Sequence, residues 1–207
     1  MYTDSVSNFN RTIKGIFNII DSTAKLNNDT NGGVLDMSYE YESLCGLAMI
    51  VMQNFINKIS SECYRIEKSQ YVNAGKTFTI GYKEYYRKLR AKGDKISGSN
   101  YTEIQLIYSL ANSYKHRSES FILLCDDLDN SGSDYTELHE RSYQSPNLKI
   151  LLDFDLLTKI NDDDPDWGIY PAYKGVLLMD GCLQGVTNRV IAWAQDRKIE
   201  INNNAVK

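Results

Sequence analysis

Apolar residues recur along this chain at three- and four-residue steps, the spacing that lines one face of an α-helix. Residues 4–26 place Val6, Phe9, Ile13, Ile16, Phe17, Ile20 and Ala24 on one side, behind caps available at Thr3, Asp4 or Ser5. Asn27 to Gly33 is a loop by composition, since Asn, Asp and Gly tolerate left-handed turn conformations. From about Ser38 to Ile66, Leu44, Ala48, Val51, Phe55, Ile59 and Ile66 form one stripe, with Cys45, Met52, Ile56 and Cys63 beside it. So wide an apolar face predicts contacts on more than one side, as in the central helix of a bundle. Another helix is signalled by Asn100 and Glu103, which have the spacing of a capping box, followed by Ile104, Ile107, Leu110, Ala111 and Tyr114 on a buried face. Asn112, Lys115 and His116 fall together on a different face.

The remaining stretches are less regular. Residues 70–98 form an irregular, basic insertion, in which YVNAGKTFTI has the makings of a short β-hairpin and YKEYYRKLRAK those of a short helix. Phe121 to Cys125 either extends the capped helix or begins another, and LKILLDFDLL is a short apolar run after Pro146. Pro171 suits the first position of a last helix reaching about Arg197, with Ala172, Val176, Met179, Leu183, Val186, Val190 and Ala194 as its buried stripe. Gly181, Gly185 and Ala192 keep another of its faces small, which fits a close helix crossing or a dimer seam. Residues 202–207 read as a polar tail. The pattern therefore predicts an all-α chain: one helical-bundle domain over 1–207, of four to six helices with an irregular middle.

Composition narrows the chemistry. With 42% hydrophobic residues in 207, the chain can bury a substantial core. A formal charge of -4 and a pI near 5.3 provide no global positive field for nucleic acid. Cys45, Cys63, Cys125 and Cys182 lie far apart, without the spacing of a metal site, and read as free thiols of a cytoplasmic protein. The N-terminus has no basic leader before an apolar core, and no apolar run is long enough to span a membrane. No cofactor is implied. Acidic residues crowd Asp126 to Glu140 and again Asp162 to Asp166. The loop from Asp127 matches a calcium loop in Asp127, Asp129, Ser131 and Gly132, but has Leu138 where the closing glutamate belongs, so a solvated acidic turn is the better reading.

The local exception to the acidic balance is residues 83–95. Lys83, Arg87, Lys88, Arg90, Lys92 and Lys95 stand against Glu84 and Asp94, a net +4, among Tyr82, Tyr85 and Tyr86. Cations and tyrosines together can hold phosphates and stack bases. The plainer alternative is a solvated helix face with its tyrosines turned inward.

NSYKHR resembles the Asn-x-x-Lys-His pattern of the HEPN superfamily, small helical bundles many of which are RNA-cleaving toxins or defence effectors. The resemblance implies a metal-independent ribonuclease or RNA-binding protein of stress or phage defence, acting as a dimer. In that role His116 is the general acid or base, Asn112 its polar companion and Lys115 a basic one, with Lys83, Arg87, Lys88, Arg90 and Arg117 gripping RNA. The family's arginine is missing, since Ala111 stands in its place, and phosphorane charge then needs another cation. Two other readings remain open. His116, Lys115 and Arg117 can simply complement a helix C-terminus. The acidic segments and many tyrosines also suit a protein-binding inhibitor, such as a toxin immunity protein or a phage-encoded blocker of defence, and the glycine face suits a scaffold whose role is oligomerisation.

Overall fold

The computed structural model describes residues 2–29, 37–115, 146–156, 171–179 and 182–204. Among them are seven helices and no strand: α1 (Tyr2–Asp29), α2 (Met37–Asn73), α3 (Tyr82–Arg90), α4 (Glu103–Lys115), α5 (Pro146–Asp153), α6 (Pro171–Leu178) and α7 (Leu183–Asn204). The protein is an all-α helical bundle. No helix among the described residues is long and apolar enough to cross a membrane.

The wide apolar face of α2 has the consequence expected of it. This helix packs against α1, α3, α4, α6 and α7, while α5 joins the bundle through α4. Cys45, Ala48, Met49, Met52, Ile56 and Ile59 are buried along it, and Phe9 of α1 stacks on Phe55 with ring centroids 4.3 Å apart. Fully burying each such aliphatic or aromatic side chain stabilises the bundle by about 1.5–3 kcal/mol. Two glycines permit the closest approaches. A Cβ at Gly46 of α2 would collide with the Tyr114 ring, and one at Gly175 of α6 would collide with Leu110. By contrast, among the described residues a Cβ at Gly185 would meet Arg189 and Cys182 near its own helix and no other helix; Gly181 lies outside the described residues.

Several boundaries differ from those expected. Helix α1 runs on through Asn27 and Asn28 to Asp29, and α2 continues to Asn73, so no hairpin forms over 71–80. Instead α2 ends in a Schellman motif: Gly75 has φ +68°, its N–H donates to the Val72 carbonyl, and the Lys76 N–H donates to the Tyr71 carbonyl. Phe78 then folds back with its ring edge-on to Tyr64 and Tyr71, an apolar contact worth more than two short exposed strands. The capping box of α4 is Thr102 with Gln105. The Gln105 side chain accepts from the Thr102 N–H at 2.9 Å, and Thr102 Oγ1 accepts from the Gln105 N–H at 3.2 Å. Glu103 is thereby released to pair with Arg189 of α7 at 2.7 Å.

At the C-terminal end the expected stripe is buried from Ala172 to Ala194, but it is carried by two helices rather than one. Their separation is held by Arg189, whose guanidinium donates to the Met179 carbonyl at the end of α6. Helix α7 runs past the expected end near Arg197 to Asn204 and buries Ile201, while Asn202 and Asn203 are exposed and residues 205–207 lie outside the described residues.

Candidate functional site

Helix α3 is amphipathic in the way its sequence requires. Tyr85, Tyr86 and Leu89 are buried, while Tyr82, Lys83, Arg87 and Lys88 are exposed. The Tyr85 hydroxyl donates to Glu67 at 2.6 Å, and burial, reinforced by that carboxylate, pushes the phenol well above its ordinary range. Burial does the same to Tyr86. The inward tyrosines are thus neutral rings that seat the helix. Its cations are then left on the outer side.

That outer side forms one wall of a cleft of about 850 Å³ between α3, α4 and α5. From α3 come Tyr82, Lys83, Glu84, Tyr86, Arg87 and Arg90; from α4, Gln105, Tyr108 and Asn112; from α5, Asn147, Lys149 and Ile150. Asn57 of α2 and Tyr101 complete the lining. The Arg90 guanidinium lies 3.7 Å above the centroid of the Tyr108 ring, a cation–π stack that holds the fork in place. Tyr101 donates to Asp153 at 2.6 Å, and this bond, more than burial, pushes its hydroxyl up to about 12. The bond also braces the segment entering α4 against the end of α5.

The basic insertion and the NSYKHR helix, separate in sequence, therefore meet in space. Lys83, Arg87 and Arg90 share the cleft with Asn112. Lys88 does not line it, and pairs instead with Glu84 one turn back at 2.8 Å. Asn112 and Lys115 are joined through Gln53 of α2, a residue the sequence did not mark. Gln53 Nε2 donates to Asn112 Oδ1 at 2.7 Å and to the Tyr108 carbonyl at 3.2 Å, while the Lys115 ammonium donates to Gln53 Oε1. Its one visible signal was an amide inside an apolar stripe. His116 and Arg117 lie outside the described residues, as do Cys125, the calcium-like loop from Asp127 and the acidic run from Asp162 to Asp166.

What this arrangement can do chemically follows from its inventory. Four cations, Lys83, Arg87, Arg90 and Lys149, and one carboxylate, Glu84, line a space that also holds four tyrosines and four side-chain amides, Asn57, Gln105, Asn112 and Asn147. Phosphate oxygens, unpaired bases and base-edge groups all find partners there. A second cavity, of about 290 Å³ beside α7, makes a useful contrast. Its Arg189 is paired with Glu103, and its Lys92 and Arg197 both bind Glu200, so its cations are already neutralised. No cluster of three or more His, Cys, Asp and Glu side chains suited to a metal ion occurs among the described residues.

Comparison with protein-family models, curated proteins and solved structures finds no match to this chain.

Proposed function

We propose that this chain is a HEPN-like RNA-binding protein that takes a single-stranded segment into the cleft between α3, α4 and α5. The observation carrying the proposal is the convergence of Lys83, Arg87 and Arg90 with Asn112 around a tyrosine-lined space, in a chain whose overall charge is negative. Cations concentrated against the trend of the whole molecule mark a local anionic ligand. Tyrosine faces add stacking on unpaired bases, worth about 1–3 kcal/mol per base. A duplex offers no such faces, and a cleft of about 850 Å³ has the size of a pocket for a few nucleotides rather than a groove for a helix.

Metal-independent cleavage of the bound strand is the further step the HEPN resemblance implies. His116 would act as general base on a ribose 2′-hydroxyl attacking the adjacent phosphorus, or as general acid on the departing 5′-oxygen, and Arg87 or Arg90 would supply the guanidinium that Ala111 cannot. The test is anisotropy of a labelled single-stranded RNA at several salt concentrations, with the same RNA then assayed for cleavage in chelator. Arg90→Ala should weaken binding about tenfold or more, and losing its phosphate contact should flatten the salt dependence by about 0.7 in logarithmic slope. Absence of single-strand binding at low salt would sink the proposal. Cleavage that persists in His116→Ala would remove that histidine from the chemistry while leaving the binding intact.

A further inference from the structure

Gln53 is 1% exposed and cannot turn to water, so its bonds are fixed by the chemistry of its neighbours. A backbone carbonyl only accepts and an ammonium only donates. The Tyr108 carbonyl therefore selects the Nε2 end of the Gln53 amide, and the Lys115 ammonium selects the Oε1 end. With Gln53 so oriented, its second N–H requires an acceptor, and Asn112 must present Oδ1 to it. The Asn112 Nδ2 group is then the end left for the cleft, with no partner among the described residues. Two one-way partners at Gln53 thus settle the direction of an amide that neither of them touches.

We infer that Gln53 and Lys115 are positioning residues that lock Asn112 as a hydrogen-bond donor toward the cleft, and that the ligand group it meets is an acceptor oxygen. The inference rests on the RNA-binding reading above. It also deepens that reading, because an asparagine recognises adenine by donating and accepting at once, which needs both ends of its amide. Asn112 has one end committed to Gln53. It is left to read an isolated acceptor, such as a uracil carbonyl or a phosphodiester oxygen, and to pass over adenine's donor–acceptor pair.

The experiment compares a labelled uridine oligomer, an adenosine oligomer and an abasic phosphodiester of equal length, on wild type, Gln53→Glu and Asn112→Asp. Glutamate at 53 keeps its pairing with Lys115 but only accepts, so Asn112 must turn its Nδ2 inward and its Oδ1 to the cleft. Asn112→Asp removes the donor directly at a half-buried position, should the first variant fold poorly. Wild type should prefer uridine over adenosine by about twofold to tenfold, the worth of one hydrogen bond, and both variants should lose that preference. If wild type binds all three ligands alike and both variants weaken all three alike, the acceptor is the phosphodiester and the donor role stands. In the free protein, the Asn112 side-chain amide should exchange rapidly with water and become protected in Gln53→Glu, a change that a purely packing role for Gln53 would not produce. RNA binding by wild type with no effect of either variant overturns the locked donor alone. No RNA binding by wild type overturns the functional reading, and the inference falls with it.

Discussion

Among the polar side chains that helix α2 buries, Glu42 and Gln53 are each 1% exposed and stand about three turns apart. At the Glu42 end the network is closed. Its two carboxylate oxygens accept from the Ala172 and Tyr173 N–H groups at 3.0 and 2.8 Å, capping the first turn of α6 from a distant part of the chain. At the Gln53 end the network is open, because its bonds run from Lys115 through to Asn112 and so to the cleft. Burial alone does not separate the two cases. What separates them is where the last polar atom points: onto backbone that needed a partner anyway, or into unfilled space.

Removing the closed network should have the largest effect on folding and none on the ligand. Glu42→Ala leaves two N–H groups of a buried helix start without acceptors and removes a charge-assisted pair of bonds, costing about 3 kcal/mol. Urea unfolding measures this, and RNA affinity per folded molecule should be unchanged. A Glu42→Ala protein that unfolds normally yet loses RNA would reverse the assignment of the two ends.

Gly46 sits between the two ends and tests whether they are independent. Alanine there forces the Tyr114 ring off α2 and should cost about 1–3 kcal/mol through overpacking. Because Tyr114 and Asn112 share α4, the displacement should also weaken RNA binding, by severalfold. Stability loss without any loss of binding would mean that α4 tolerates the shift and that the cleft is held by α3 and α5 alone.

Alkaline titration compares the same regions without mutation. Burial pushes the Cys45 thiol up to about 12 from 9.0 and the Tyr41 hydroxyl up to about 12 from 10.0, both near Glu42. Burial likewise pushes Cys63 up to about 12. At the cleft, the Asp153 bond holds Tyr101 near the same value. A raised folded pKa means that the native state keeps a proton the unfolded chain has lost. Stability from these groups is therefore complete below about pH 9 and declines as pH rises from 9 to 12. The urea midpoint should fall monotonically over that range. Asp153→Asn should remove only the Tyr101 share, making the decline shallower. A midpoint flat from pH 9 to 11 would contradict the buried placement of both thiols. Thiol labelling gives the parallel check, since exposed Cys182 should react in the native protein while Cys45 and Cys63 wait for unfolding.

How much of this was legible in the sequence depended on whether the signal was periodic. The buried faces of α1, α2 and α4 were visible because Phe9, Ile13 and Ile16, or Ile104, Ile107 and Leu110, repeat at helical spacing. The same periodicity concealed the break between α6 and α7. Met179 and Leu183 keep the four-residue step across it, and the Arg189 bond to the Met179 carbonyl is a tertiary contact with no local trace. The cap of α4 also fell two residues beyond the expected Asn100 with Glu103. Thr102 with Gln105 has the same spacing, and it wins because Thr102 also donates to the Arg90 carbonyl at 2.6 Å, tying α4 to the end of α3. At the candidate site, Asn112 and Lys115 stood out as polar residues off the packing face. Gln53 did not, since its purpose lies in residues more than fifty positions away.

The smallest expected effect is the most discriminating within α3. Lys88 and Arg90 are near neighbours of like charge, and a binding mode driven by the net charge of the helix would treat them alike. The structure treats them differently: Lys88 lies outside the cleft in an exposed pair with Glu84, whereas Arg90 lines the cleft and stacks on Tyr108. Exposed pairs of this kind contribute little, because solvent screens them and both side chains must be ordered to form them. Lys88→Ala should accordingly leave the urea midpoint within error, change RNA affinity less than about twofold and preserve the salt slope, against about tenfold or more for Arg90→Ala. Equal losses would mean that RNA senses the helix as a diffuse charge. Unequal losses in this order would place the contact inside the cleft, where the open end of the α2 network already points.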